Sequence, residues 1–426
     1  MSAHPDLIAQ DAQFSRQVME LAPGVHGAVG FAASNVYMIE GEQALVIIDT
    51  TETTKAAEHI LAEFRKITTK PVGTIIYTHS HRDHISGASV FAGEDDPQIV
   101  ASADFASDIM AVDKTKAPTQ KIMMARLKRH FGFGLSYPDE RVSIGVGPGQ
   151  RPLEGMGAGF VAPTRLIEED RLSVSFHGID LELVKAPGET PDHMVVWLED
   201  RRVLFCGDNY YSAFPNLYAI RGTAYRDFDA WADTMDLLMG FGAQVLATGH
   251  TLPVTGADTI RERLADYRDA IRYVVTETAR GMNQGLDPVT IAYGMKLPGD
   301  LADKPYLKEF YGHVGNASRA YFAGTLGWFD GNPTSLGELP PVEEARRMVA
   351  LIGGAARVRD AARAALDGDD PQWAMELADR LLAIGEETEA ATGIKVDAMR
   401  VMADRTPNAP MRNYYLLSAH EMEGKA

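Results

Sequence analysis

The segment Thr78-His79-Ser80-His81-Arg82-Asp83-His84 concentrates three imidazoles and a carboxylate in six residues, directly after an apolar run. His79 and His81 alternate along an extended stretch, so both can point to one side. Asp83 and His84 fall where a helix would begin, so they can turn towards a second point. One tight turn can therefore offer two sets of ligands to two neighbouring cations. Zinc and similar borderline ions accept imidazole nitrogen and carboxylate oxygen together. Without a cation, these groups would repel one another when protonated and would be costly to bury.

Further donors stand at the ends of other apolar runs. Glu189 lies in APGETPDH, Asp208 in LFCGDNYY, and His250 closes AQVLATGH. In α/β sheets the functional loops sit at the carboxyl ends of strands. Each of these residues alone would read as a turn former or a helix cap. Their joint order after the histidine cluster is what makes them candidate ligands.

The elements that must position them follow from periodicity. GVHGAVGF and NVYMIEG read as paired strands, and ALVIIDT is an apolar run ending in Asp49. Residues 54–67 have helical spacing, with Ala57, Ile60, Leu61 and Phe64 on one face. VGTIIYTHSH is a buried-type strand running into the cluster, so the order is strand, helix, strand, the rhythm of an α/β fold. Strand patterns resume over 171–208, a helix follows in DFDAWADTMDLLMGF, and 258–280 is helical. Residues 342–426 read as helical hairpins rich in Ala, Leu, Arg and Glu, a packing or dimerisation module. Between these lies 113–165, a short helix followed by a Gly/Pro-rich stretch. An irregular insertion of that length is usually functional, as a lid or an arm. Its glycines make no phosphate loop, because no strand leads in and no GK[ST] follows.

Composition sets the outer bounds. The 426 residues carry 59 acidic and 41 basic side chains, a formal charge of -18, with 45% hydrophobic residues. That charge argues against general nucleic-acid or anionic-membrane binding, and a site for an anion must supply its own cations. The lone Cys206 excludes a disulfide scaffold and cysteine-based zinc fingers. No apolar run is long enough to span a membrane. MSAHPDLIAQDAQFSRQVMEL lacks the layout of a secretory signal, so the expectation is a cytoplasmic protein.

THSHRDH, then PGET, CGDN and TGH, resemble the metallo-β-lactamase superfamily in order and spacing. The chain is most similar to the class III alkyl sulfatases within it. GVHGAVGFAASNVYMIEG, NLYAIRGTAYRDFDAW, YGHVGNASRAYF with LGWFDGNP, and MRNYYLLSAHE carry that likeness almost to the end of the chain. The resemblance implies an α/β fold, the αββα metallo-β-lactamase sandwich, over residues 1–285, with the 113–165 insertion inside it. An all-α dimerisation domain over 286–426 would follow, and the expected partner is a second copy of the chain. The sterol-carrier-like domain that alkyl sulfatases add lies outside this sequence.

By the same resemblance, His79, His81 and Glu189 would hold one of two zinc ions per chain, or another divalent metal. Asp83, His84 and His250 would hold the other, with Asp208 bridging; Asp83 and Asp208 are the expected catalytic carboxylates. Glu189 stands where most of the superfamily has histidine and is a mark of the sulfatase branch. Asp208 follows the wider superfamily instead of the branch's usual glutamate. Arg221 matches the family's sulfate-binding arginine, and a fixed guanidinium is what a tetrahedral oxyanion needs in an acidic protein. Asn216 shares its segment. Phe322 falls where the branch carries a sulfate-holding tyrosine, and Asn316 replaces a histidine. Tyr321 or Tyr311 is left to compensate, so Arg221, Asn216 and Tyr321 form the expected substrate-binding set.

The implied activity is a dinuclear zinc hydrolase acting on a small-molecule sulfate ester. The alternatives are the same core acting on a phosphodiester, lactone or β-lactam, or a non-enzymatic dimeric binding protein. Other features receive bland readings. His193 is a surface or hydrogen-bonded residue, and Cys206 a buried strand residue. Tyr210, Tyr211, Phe214, Tyr218 and Tyr225 are core packing, and Arg126, Lys128, Arg129 and His130 form a solvated helix face.

Overall fold

The computed structural model describes residues 3–105 and 119–425. The first part of the 113–165 insertion therefore lies outside the described residues.

Two sheets face each other. The first runs in sequence order through β1 (Gln17–Ala22), β2 (Val25–Val29), β3 (Val36–Glu40), β4 (Leu45–Ile48), β5 (Val72–Ile76), β6 (Gln98–Ser102) and β7 (Arg165–Ile167). It is antiparallel from β1 to β4 and parallel from β4 to β7. The second contains β8 (Arg171–Phe176), β9 (Ile179–Lys185), β10 (Met194–Leu198), β11 (Val203–Gly207), β12 (Val245–Thr248) and β13 (Val254–Thr255). Its β11/β12 pair is parallel and its other pairs are antiparallel.

The apolar runs of β4 and β10 are buried on both faces, and their alternation shows why. Val46 and Ile48 join Met194, Val196 and Leu198 in the core between the sheets. Leu45 and Ile47 face the helices of the first sheet, and Val195 and Trp197 face those of the second. The layers are thus helix, sheet, sheet, helix, the arrangement the resemblance implied.

After α1 (Pro5–Asp11), helix α2 (Thr54–Phe64) starts at Thr53, whose hydroxyl accepts the Ala56 N–H at 3.0 Å. It buries Ala56, Ala57, Ile60 and Phe64 against the first sheet, with α3 (Arg82–Ile85) and α4 (Ala88–Ala92) beside it. Within the insertion, α5 (Gln120–Phe131) ends at Gly132, which adopts φ +64°. The second sheet is covered by α6 (Phe228–Gly240) and α7 (Ala257–Asn283). On α7, Ile260, Leu264, Tyr267, Ile271 and Val274 form the buried stripe.

Helices α8 (Pro288–Gly294), α9 (Gly299–Ala302) and α10 (Val314–Leu326) add Ile291, Leu301, Val314 and Phe322 to that same core. Packing therefore runs continuously through residue 285. A separate helical core begins with α11 (Pro341–Ile352), α12 (Ala355–Asp367), α13 (Pro371–Ile384) and α14 (Thr388–Arg405). The last helix, α15 (Ala409–Met422), closes this bundle and returns to pack against α5. Among the described residues, no helix is long and apolar enough to cross a membrane.

Candidate metal centre

The expected ligands gather where the carboxyl ends of β4/β5 and β11/β12 meet at one edge of the sandwich. The two sheets are stitched together there by backbone bonds. Asn35 N–H donates to Gly249 O at 2.7 Å and Met194 N–H to Thr78 O at 2.8 Å. His79 follows β5, His81 precedes the first residue of α3, and Asp83 and His84 lie within that short helix. Glu189 sits between β9 and β10, Asp208 just after β11, and His250 just after β12.

Asp208 lies at the middle of the group. Its Oδ1 is 3.3 Å from His84 Nε2; its Oδ2 is 3.1 Å from His250 Nε2 and 3.6 Å from His79 Nε2. Asp83 Oδ2 is 3.4 Å from His250 Nε2 and 3.7 Å from His84 Nε2. Three donor groups have their atoms within 4.8 Å of one another: His79, His84 and Asp208; Asp83, His84 and His250; His81, Glu189 and Asp208. The second is the expected second ligand set. The expected first set is divided between the other two: His79 falls in the first group, His81 and Glu189 in the third, where Glu189 Oε1 also meets Arg226 Nη1 at 2.7 Å in a buried ion pair.

Hydrogen bonds behind the rings turn the donor nitrogens inward. Asp49 accepts from Thr78 N–H at 2.8 Å and Thr78 Oγ1–H at 2.9 Å, and it lies 2.7 Å from His84 Nδ1. His84 therefore carries a proton on Nδ1 and presents Nε2. With the Thr78 hydroxyl proton committed to Asp49, its oxygen accepts from His79 Nδ1 at 3.0 Å, which again leaves Nε2 for the site. His250 Nδ1 donates to Ala33 O at 2.7 Å. Asp49 holds a left-handed φ of 58°, uncommon for a residue with a side chain. Gly249 is required for space: a Cβ there would come within 2.2 Å of Asp208 Oδ1.

Electrostatics follow from this packing. Burial opposes charge on His84 and His250, but Asp208 and the neighbouring carboxylates outweigh it. His84 is held well above the usual imidazole range and His250 is raised to about 10. Burial, and then the positive charges around them, take His79 well below its ordinary value and His81 down to about 3. Burial pushes Glu189 up to about 7 against the pull of Arg226. Burial also opposes charge on Asp208, yet His250 and His84 keep it well below the carboxylate range.

The residues suit cations on their own chemistry. His79 Nε2, His84 Nε2, Asp208 Oδ1 and Glu189 Oε2 are all buried without a hydrogen-bond partner. One such orphan costs about 1–3 kcal/mol, so a concentration of them at one point marks a site completed by a ligand. The donor set is nitrogen and oxygen. The Cys206 thiol is buried and lies 3.7 Å from Gly207 O and 3.9 Å from Tyr210 O.

The expected substrate residues fare differently. Arg221 is half-buried, with Nη1 on Gly222 O at 3.1 Å and Nε unpartnered, and its charge reaches His81. Asn216 is buried; its carbonyl accepts from Arg226, its N–H donates to the Tyr211 hydroxyl at 2.8 Å, and its side-chain nitrogen has no partner. Tyr321 is not brought to this site. It packs on Phe228 with ring centroids 5.5 Å apart, because its position on α10 faces the core that covers the second sheet. Phe322 is inside that core, and the Asn316 N–H is tied up by the His313 cap. Tyr311, the other candidate hydroxyl, does stand near the site, within electrostatic reach of Arg221, Glu189 and Asp83.

Several functional neighbours escaped sequence reasoning. Asp49 was visible only as the end of an apolar run. Arg226 stood in a quoted segment but had no partner until Glu189 arrived from another loop. His193 is fully buried; its Nε2 accepts the Asp208 N–H at 3.0 Å and its ring stacks 4.7 Å from His79. The supposed solvated face of α5 is also corrected. His130 is buried, Arg126 donates to Ile220 O at 2.7 Å, and Arg129 pairs with Glu421. Docking of α15 covers that face, which no local pattern could show.

Comparison with known proteins agrees with the geometry. Residues 29–250 match the metallo-beta-lactamase superfamily, and residues 287–425 match the alkyl sulfatase dimerisation family. The chain belongs to the metallo-β-lactamase superfamily and, within it, to the alkylsulfatase branch of metal-dependent hydrolases. It is 38% identical over 397 residues to a linear primary-alkylsulfatase from a Pseudomonas species, covering 91% of this chain and 74% of that one. An (R)-specific secondary-alkylsulfatase from Pseudomonas is 33% identical, covering 95% of this chain and 62% of the relative. The solved structure of a stereoselective inverting sec-alkylsulfatase from Pseudomonas superposes with a TM-score of 0.91 at 31% identity, over 100% of this chain and 69% of that one. The chain thus spans between about three fifths and three quarters of the alkylsulfatases it matches.

Proposed function

We propose that this protein hydrolyses alkyl sulfate esters with two zinc ions held by His79, His81, Asp83, His84, Glu189, Asp208 and His250. The observation that supports it most is the convergence of unpartnered, buried donor atoms around Asp208, beside two guanidiniums in an otherwise acidic chain. When bound, the cations supply Lewis acidity and bring the pKa of water from about 15.7 towards about 7.

The chain's own groups do the rest. Asp49, Thr78 and the Ala33 carbonyl orient the imidazoles, so nothing has to rearrange as charge develops. Asp208 and Asp83 offer carboxylate oxygens on the same side as these rings, where they can hold a proton or a cation. Arg221 and Arg226 are fixed positive charges that attract the sulfate and offset charge on its non-bridging oxygens. Arg226 also steadies Glu189. Buried Tyr211, edge-on to His250 at 6.0 Å, walls the site from solvent.

The test is metal analysis of the purified protein with an activity screen. Linear and secondary alkyl sulfates, a phosphodiester, a lactone and a β-lactam would be compared. We expect about two zinc ions per chain and turnover of alkyl sulfates, with Arg221→Ala raising KM. Turnover confined to the non-sulfate substrates would overturn the reading.

We also propose that the chain is a homodimer. Tyr293 is 92% exposed, Leu351 80% and Trp328 75%, all within the region that matches the dimerisation family. Large apolar side chains exposed to that degree are expected to be covered by a second copy.

A further inference from the structure

His130 is a buried polar side chain that the reading above leaves unused. It is 1% exposed, and neither ring nitrogen has a hydrogen-bond partner. Its ring stands edge-on to Tyr311 at 5.7 Å. Tyr311 is in turn edge-on to Tyr211 at 6.1 Å, and Tyr211 to His250 at 6.0 Å. A continuous aromatic wall therefore runs from the metal ligands to His130. Arg221 and Arg226 both act electrostatically on His130, as they do on His81. Burial and then these charges hold His130 below its ordinary pKa, which leaves it a neutral ring with one N–H donor.

The surrounding structure fixes the backbone that carries this ring. Asn413 Nδ2 on α15 donates to His130 O at 3.2 Å, and Arg129, the residue before His130, pairs with Glu421. Asn408, the cap of α15, donates to Tyr311 O at 2.9 Å and to Gly312 O at 3.1 Å. One helix thus holds both His130 and Tyr311 in place. A buried ring whose N–H meets no acceptor, within electrostatic reach of two guanidiniums, is arranged to donate that hydrogen bond to an anion.

We propose that His130 is a further substrate-binding residue, donating a hydrogen bond to a sulfate oxygen of the ester gripped by Arg221 and Arg226. The inference rests on the alkylsulfatase reading for the identity of the anion, and on the contacts above for the role of the residue.

The test compares zinc-loaded wild-type protein with His130→Phe, which keeps the ring and removes both nitrogens, and His130→Gln, which restores a donor. Affinity for inorganic sulfate is measured by calorimetry, and KM and kcat with an alkyl sulfate. Loss of one hydrogen bond to a charged ligand should weaken sulfate binding and raise KM about tenfold or more in His130→Phe. Zinc content and kcat should change little, and His130→Gln should recover part of the loss. If His130→Phe folds poorly, imidazole nitrogen resonances of the wild-type protein serve instead, and sulfate must shift one from His130.

Unchanged sulfate affinity in zinc-replete His130→Phe, or no shift in the wild-type protein, overturns the inference while alkyl sulfate turnover keeps the reading intact. Sulfate binding that depends on His130 without alkyl sulfate turnover overturns the reading and keeps the inference. Absence of both removes both.

Discussion

Asp49 accepts from two groups of Thr78 and from His84 Nδ1, so two ligand imidazoles take their orientation from one carboxylate. Asp49→Asn should leave the fold intact yet weaken zinc affinity about 10–100-fold, measured by competition with a chromophoric chelator. An unaltered affinity would show that the loop alone aims these rings. Glu309 offers a pH test outside the metal centre. Burial raises its carboxyl to about 7, with His313 Nε2 3.4 Å away. A raised carboxylate pKa means that the native state favours the neutral form. Its stabilising contribution is complete below pH 4.5 and is lost as pH rises through 7. Compared with Glu309→Gln, wild-type protein should therefore lose on the order of 1–3 kcal/mol between those limits in chemical denaturation. Parallel pH profiles for the two proteins would sink this assignment.

Among the elements, α15 matters more than its distance in sequence from the ligands suggests. Its cap residue Asn408 accepts the Met411 N–H at 3.0 Å and donates to the carbonyls of Glu309, Tyr311 and Gly312. Asn408→Ala removes a helix cap and strands buried carbonyls, so it should cost about 2 kcal/mol or more. It should also raise KM, because Tyr311 loses its anchor. Urea denaturation and steady-state kinetics check the two effects separately. The β-strands behave in the opposite way: their patterns are local, so β4 was legible as an apolar run and β10 as a strand before any contact was known. The α5 helix was legible as a helix, but its environment was not. Its basic residues look solvated until α15 supplies Glu421 and Asn413.

For the whole molecule, assembly and the site are separable questions. If the exposed apolar side chains around α8, α10 and α11 form the dimer face, Trp328→Glu with Leu351→Glu should yield monomers in sedimentation while zinc content stays unchanged. A wild-type monomer at micromolar concentration would refute the homodimer outright. The two cores within one chain also differ in kind. Helices α6–α10 share the core of the second sheet, whereas α11–α15 build their own. Damage to the α11–α14 bundle should therefore reach the metal centre through α15, which packs on α5 and whose cap holds Tyr311.

From the sequence alone, periodicity made the α/β rhythm and the order of the candidate ligands legible, and the resemblance to the alkyl sulfatases implied the αββα layering. Strand periodicity and the THSHRDH spacing are local properties, and the candidate ligands lie in the segments that follow strands their own residues specify. Tertiary structure alone decided which partners those ligands have. The Arg226 bond to Glu189, the Asp49 support of His84, the burial of His130 and the diversion of Tyr321 towards the core of the second sheet all join residues from different elements. Such contacts depend on how elements dock, and docking is settled by the sum of many buried surfaces, not by the pattern of any one segment.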